Sequence, residues 1–204
     1  MSEAPPIPNQ PPLEDDELAQ HLAVLIAGSP TVMQVLTTIR ELDLPDWRLF
    51  SGAVYQTVWN ALTDREPDHG IKDYDIGYFD ADTSWEAEDA VIRRVADAFG
   101  PALRGKVEVR NQARVHLWFS DKFGEDYPAL TCTDDALPRF VCPAFAVGIR
   151  LEADDSLTVS APFGLQDVFT MRLRKNPIRD IPAVSFARVT GSAAARWPEL
   201  EVVD

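Results

Sequence analysis

The sequence predicts an α+β domain. Helical and strand-like hydrophobic periodicities alternate along it, one short apolar run breaks at a Ser-Gly turn directly into a helix, and no linker or internal repeat divides it. Its 204 residues lie near the upper edge of one ordinary domain, and 46% apolar with 25% charged residues is a globular composition. A folded chain of this length buries roughly 70% of the surface its unfolded form exposes, enough for a full core.

Residues 1–13 carry Pro5, Pro6, Pro8, Pro11 and Pro12 with little apolar content, so a flexible tail is expected there and a single domain over residues 14–204. Asp15 and Asp16 precede Leu18, Leu22, Leu25 and Ile26 at helical spacing, ended by Gly28 and Pro30. Residues 31–42 repeat the pattern through Val32, Val35, Leu36 and Ile39. Residues 47–50 read as a strand, Ser51-Gly52 as a turn, and residues 53–62 as a helix with Val54, Val58 and Leu62 on one face. A polar loop over residues 63–70 leads into a strand over 72–79, then a helix over 84–99 capped by Ser84, then a strand over 106–110.

Residues 111–119 alternate, but no turn separates them from the strand before, so a short helix is assigned. Another short helix is expected over 133–140, strands over 145–151 and 157–160 joined at Asp154-Asp155, a helix opening at residues 161–164, and a closing helix over 182–195. Trp59, Trp85, Trp118, Trp197 and Phe163 are assigned to the core, because aromatics supply large buried area.

Nineteen Lys and Arg against thirty-three Asp and Glu give a net charge of -14, which repels a phosphate backbone and argues against long nucleic acid as partner. Cys132 and Cys142 lack the paired spacing of a zinc site, and His21, His69 and His116 are scattered. No apolar run approaches the roughly 20 residues of a membrane span, and the start of the chain lacks the basic-then-apolar order of a signal peptide. A cytoplasmic protein is expected.

The chemistry concentrates at Asp73 and Asp75. Two residues apart on a strand, they face the same side with Cα atoms roughly 6.5 to 7 Å apart. Magnesium takes oxygen ligands and joins one or two carboxylates to substrate phosphates, so this pair is a minimal platform for it, although solvated aspartates are common in so acidic a chain. Upstream, Ser51-Gly52 between strand and helix lets a phosphate approach the amides of the helix N-terminus; the plainer account is turn geometry alone.

Leu49-Phe50-Ser51-Gly52-Ala53-Val54, followed after a loop by Asp73-Tyr74-Asp75-Ile76, resembles the motif of the DNA polymerase beta superfamily. In its tRNA nucleotidyltransferase branch that motif is a strand ending in two small residues, a helix, and a strand bearing Asp-x-Asp. Residues 47–79, 109–119 and 161–167 also resemble a bacterial family described as nucleotidyltransferases. The resemblance implies a nucleotidyltransferase (polymerase beta-like) core with a mixed β-sheet, helices packed mainly on one side and a metal site at the sheet edge. It implies a third carboxylate on a neighbouring strand, matched by Glu108 between Val107 and Val109. Asp73, Asp75 and Glu108 would then hold two magnesium (or manganese) ions about 3.5 to 4 Å apart.

Ser51, Gly52, Tyr55, Lys72, Arg110 and Arg114 are the expected nucleotide contacts, Arg110 and Arg114 sharing a helical face as a phosphate clamp. Tyr55 and Gln56 stand where the tRNA branch has an arginine and an aspartate. Arg172, Arg174 and Lys175 are further phosphate candidates; His116 is a substrate contact or a packed histidine, and Gly164, Gln166 and Asp167 form a loop of interest through the resemblance. The implied activity is transfer of a nucleoside monophosphate from a nucleoside triphosphate to a hydroxyl of a small molecule or protein. Its rival is an inactive nucleotide-binding or protein-interaction module on the same fold. A sugar-nucleotide glycosyltransferase using Asp-x-Asp needs a longer sheet than this chain supplies.

Overall fold

The structure is a computed structural model describing residues 14–203; the predicted tail at 1–13 lies outside the described residues. The chain opens with α1 (Asp15–Ala27), whose acidic first turn suits the positive end of the helix and whose Leu18, Leu22 and Ile26 form a buried stripe. In α2 (Pro30–Glu41), Pro30 occupies the first turn, where its missing N–H would have no intrahelical partner, and Val32, Val35, Leu36 and Ile39 are buried.

Then come β1 (Arg48–Phe50), α3 (Gly52–Leu62), β2 (Tyr74–Tyr78), α4 (Trp85–Ala98), the single turn α5 (Pro101–Arg104) and β3 (Val107–Asn111). Ser84 caps α4 as expected, its hydroxyl accepting from Ala87 N at 3.3 Å. A 3-10 turn (Gln112–Leu117) and α6 (Phe119–Phe123) fill the ambiguous stretch after β3. Two further 3-10 turns lead to β4 (Gly148–Leu151), β5 (Leu157–Ser160), α7 (Gln166–Phe169), β6 (Arg172–Arg174), α8 (Ala183–Ala194) and β7 (Glu201–Val203).

The main sheet runs β3-β2-β1-β4-β5, with β2 and β3 parallel and every other neighbour antiparallel, so it is mixed as expected. Side-chain alternation divides its faces. Leu49 is aligned with Ile76 and Ile149, and Ile76 with Val109; these residues enter the main core beneath α1, α2 and α3. One residue along, Gly148, Phe50, Asp75 and Glu108 form a row across four strands on the opposite face. That row holds the candidate residues Asp75 and Glu108 on an open face, with Glu108 on β3, the edge strand of the sheet.

Gly77 lets the floor of that face form. A Cβ there would stand 2.3 Å from Phe50 Cε2, so the ring lies directly over the glycine backbone. Gly77→Ala is expected to displace Phe50 and lower stability by about 1 to 3 kcal/mol, read from denaturant unfolding; an unchanged midpoint would contradict this packing.

Other expectations shift for local reasons. β2 begins at Tyr74, leaving Lys72 and Asp73 just ahead of it. The strand expected over 145–151 begins at Gly148, because Pro143 fixes φ and starts a 3-10 turn over Pro143–Phe145. The expected helix opening at 161–164 is the single turn α7. β6 and β7, three residues each, pair in parallel in a second sheet with no readable periodicity of their own. Trp59 and Trp197 are buried as expected, but Trp85 is 62% exposed and Trp118 only half-buried. Among the described residues no single helix is long and apolar enough to cross a membrane.

Candidate active site

β2 and β3 place the acidic residues. Asp75 is aligned with Glu108 across the parallel pair and with Phe50 across the antiparallel one, and Asp73, just ahead of β2, is near enough for its charge to act on Asp75. Asp75 is exposed on the open face of β2, where it lines a cleft. Partial loss of hydration to the protein packed around it, followed by the negative charges of Asp73 and Glu108, pushes its pKa up to about 6, with Arg110 pulling the other way. The three carboxylates thus repel one another through Asp75.

Glu108 turns toward Arg110 at 3.9 Å, both being surface-accessible, and Arg110 also donates to Val109 O at 2.9 Å. As the side chains stand, no group of three or more His, Cys, Asp or Glu among the described residues is positioned to hold a metal ion. The donor chemistry nonetheless fits a hard cation: three carboxylates, no sulfur or imidazole, Asp73 and Glu108 exposed and free to rotate.

The Ser51-Gly52 turn stands at the Asp73 end of the site. β1 ends at Phe50, aligned with Asp75, so the turn follows directly on the Asp73 side of that pair, and Asp73 raises the pKa of Tyr55 one turn into α3. Ser51 has φ 51°, a left-handed conformation that costs a non-glycine residue energy and that its neighbours hold in place. Its N donates to Val147 O at 2.8 Å, and its carbonyl accepts from Val54 N at 2.8 Å and Tyr55 N at 3.1 Å. The amides of Gly52 and Ala53, in the first turn of α3, have no intrahelical acceptor.

Two expected nucleotide contacts belong to the fold instead. Tyr55 is buried, its ring stacked 4.7 Å from Phe145 and 4.4 Å from Trp59, and its hydroxyl accepts from Gln56 Nε2 at 3.3 Å. Burial pushes its pKa up to about 12. Arg114 pairs with Glu88, whose other carboxylate oxygen accepts from Asn111 N at 2.9 Å. That pair ties the end of β3 to α4, and because Arg110 lies on a strand while Arg114 lies on a 3-10 turn, they share no helical face.

Arg174 bonds Asp167 at 2.7 Å, Arg172 reaches Glu201 at 3.9 Å, and Lys175 lies 5.5 Å from the centre of the Phe186 ring, so these cations serve the C-terminal packing. The loop at 161–167 is held to α1, with Leu165 N donating to Asp15 Oδ1 at 3.1 Å. Lys72 is exposed beside Asp73 and makes no ion pair among the described residues. His116 keeps Nδ1 buried without a hydrogen-bond partner and stays outside the cleft lining.

The cleft, about 560 Å³, is lined by Phe50, Asp75, Glu108 and Arg110. Sequence reading missed the rest of its lining: the aromatics Trp118, Phe119, Phe123 and Tyr127, and the cations Arg139, Arg179 and Arg188. The signal was the aromatic density of residues 118–127, which periodicity alone assigns to packing.

A family model described as Nucleotidyltransferase matches residues 37–202, which include every element of this site. The chain belongs to the nucleotidyltransferase family. Its fold is similar to that of a solved structure described as an NMR structure revealing a CCA-adding enzyme head domain. The two are 25% identical, with a TM-score of 0.73 and coverage of 91% of this chain and 95% of that one. No curated protein matches the chain. In the nucleotidyltransferase, the Ser51-Gly52 turn and the Asp73/Asp75 strand are thus neighbours in space as well as in motif.

Proposed function

We propose that this nucleotidyltransferase family member moves a nucleoside monophosphate from a nucleoside triphosphate to a hydroxyl of a small-molecule or protein acceptor. The observation that carries the reading is the alignment of Asp75 with Glu108, with Asp73 just ahead of β2, between a helix-starting glycine turn and an open cleft. Asp73, Asp75 and Glu108 would hold magnesium or manganese, which neutralises triphosphate charge and acidifies the attacking hydroxyl.

The remaining steps belong to the chain's own groups. The free amides of Gly52 and Ala53 and the ammonium of Lys72 receive the phosphates at the Asp73 end, and Arg110 screens charge near Glu108. The acceptor oxygen forms a bond to the α-phosphorus while the bond from that phosphorus to the β-bridging oxygen breaks. Pyrophosphate leaves with the electron pair, and the hydroxyl proton passes to cleft water. Incubating the protein with α-labelled triphosphate, magnesium or manganese, and cell extract as acceptor pool tests the reading. Label transfer with pyrophosphate release supports it; a folded protein giving neither under any divalent ion is the inactive module.

The raised pKa of Asp75 makes a separate prediction. Its ordinary value is 3.8 and its folded value about 6, so folding favours the protonated form. The associated stability is fully present below pH 3.8 and is lost as pH rises through 6. A cation binding the ionised carboxylates acts in the opposite direction. Thermal unfolding should therefore show magnesium raising Tm clearly above pH 6 and little below pH 5; equal stabilisation at both would contradict a carboxylate site.

A further inference from the structure

We infer that the cleft beyond Asp75 and Glu108 is the acceptor subsite, shaped for a small acceptor with a flat aromatic ring and an anionic group. The inference rests on the nucleotidyl-transfer reading and adds a direction to it. β1 runs antiparallel to β2 and ends at Phe50, aligned with Asp75, so the glycine turn follows on the Asp73 side, whereas Arg110 is aligned with Gly77, two residues to the other side of Asp75. Phosphate-binding groups thus lie on one side of Asp75 and the cleft on the other; an acceptor entering through the cleft meets the α-phosphorus from the side opposite the departing pyrophosphate. Its hydroxyl oxygen makes the new bond, pyrophosphate takes the electron pair of the broken one, and the proton goes to water.

The walls define the ligand. Phe119 lies 4.5 Å from Tyr127 and 4.7 Å from Phe123, yet α6 has no buried residue and Phe123 is 53% exposed. These rings line the cleft, with Lys122 lying 5.5 Å from the centre of the Trp118 ring and 5.3 Å from that of Phe123, so aromatic surface and cations stand together where a flat anionic ring can stack. Beside them stands positive charge. The Arg139 guanidinium lies 4.7 Å from the centre of the Tyr127 ring, with Nε buried and lacking a hydrogen-bond partner. Arg179 is bound to Glu125 at 2.7 Å, the carboxylate lining this end of the cleft. Arg188, exposed on α8, makes no ion pair or hydrogen bond among the described residues.

The cleft lining holds Arg110, Arg139, Arg179 and Arg188 against Asp75, Glu108 and Glu125, a small positive excess in a chain of net charge -14. A cleft of about 560 Å³ is the size of a small-molecule site.

Calorimetric titration with three probes tests this: 4-nitrophenyl phosphate (ring and charge), 4-nitrophenyl glucoside (ring alone) and glucose 6-phosphate (charge alone). The folded full chain should bind the first about tenfold more tightly than either other. Arg188→Ala, at an exposed unpaired residue, and Trp118→Leu should each weaken that probe about fivefold or more while leaving magnesium-ATP affinity within about twofold. Equal binding of the three probes overturns the inference, as does a loss of magnesium-ATP affinity as large as that of the probe, which would make the cleft the site of the donor base. The underlying reading is scored separately by Asp73→Asn/Asp75→Asn: undiminished magnesium-ATP binding in that variant counts against nucleotidyl transfer itself.

Discussion

Asp75→Asn is expected to lower nucleotidyl transfer on the order of a thousandfold, since withdrawing one metal-binding carboxylate removes several kcal/mol of transition-state stabilisation and each 1.36 kcal/mol is tenfold in rate. The amide keeps the shape of the side chain but not its charge, and Asp75 is the residue through which Asp73 and Glu108 interact. Unfolding does not explain such a loss. Asp75 carries a raised pKa from partial loss of hydration and like-charged neighbours, so the neutral amide should make the metal-free protein equally or more stable at neutral pH. Steady-state kinetics beside thermal unfolding, with and without magnesium, separates the two effects. A variant as stable as the parent and within about tenfold of its rate would remove Asp75 from the chemistry.

The largest stability effect is expected at Trp197. Its side chain is fully buried, its Nε1 donates to Asn60 Oδ1 at 2.9 Å, and its ring meets Trp59 edge-on at 5.4 Å. Asn60 in turn donates to Pro67 O and His69 O, both at 2.9 Å, so this indole anchors the loop leading to Asp73. Removing so large a buried side chain costs about 3 to 5 kcal/mol, and the stranded Asn60 oxygen adds to it. For a domain of this size Trp197→Ala should lower Tm by roughly 10 °C or more. Trp197→Phe keeps apolar bulk but strands the same oxygen, so it should fall between. The control is Trp85→Ala at an exposed indole, expected within about 0.5 kcal/mol of the parent. A small effect at Trp197 would mean that the loop is held by other contacts.

The Ser51-Gly52 turn and the Asp-x-Asp strand were legible because they depend on local geometry: a helix start after small residues, and a period of two that puts Asp73 and Asp75 on one side. The same period put Glu108 outward between Val107 and Val109. The ion pair of Arg114 and the packing of Tyr55 were not legible, for a shared reason. Their partners, Glu88 and Phe145, are 26 and 90 residues away, and no local pattern tells a free guanidinium or phenol from one already enclosed.

The sequence by itself determined the hydrophobic periods, the caps and turns, and therefore which residues form helices and strands and which side of β2 is acidic. Only the tertiary structure decided that the acidic row crosses two parallel strands on an open face, and that arginines from residues 139 to 188 meet the aromatic stretch after β3. The physical reason is range: backbone periodicity acts over a few residues, whereas a cleft is made by strand pairing and packing between segments far apart in the chain.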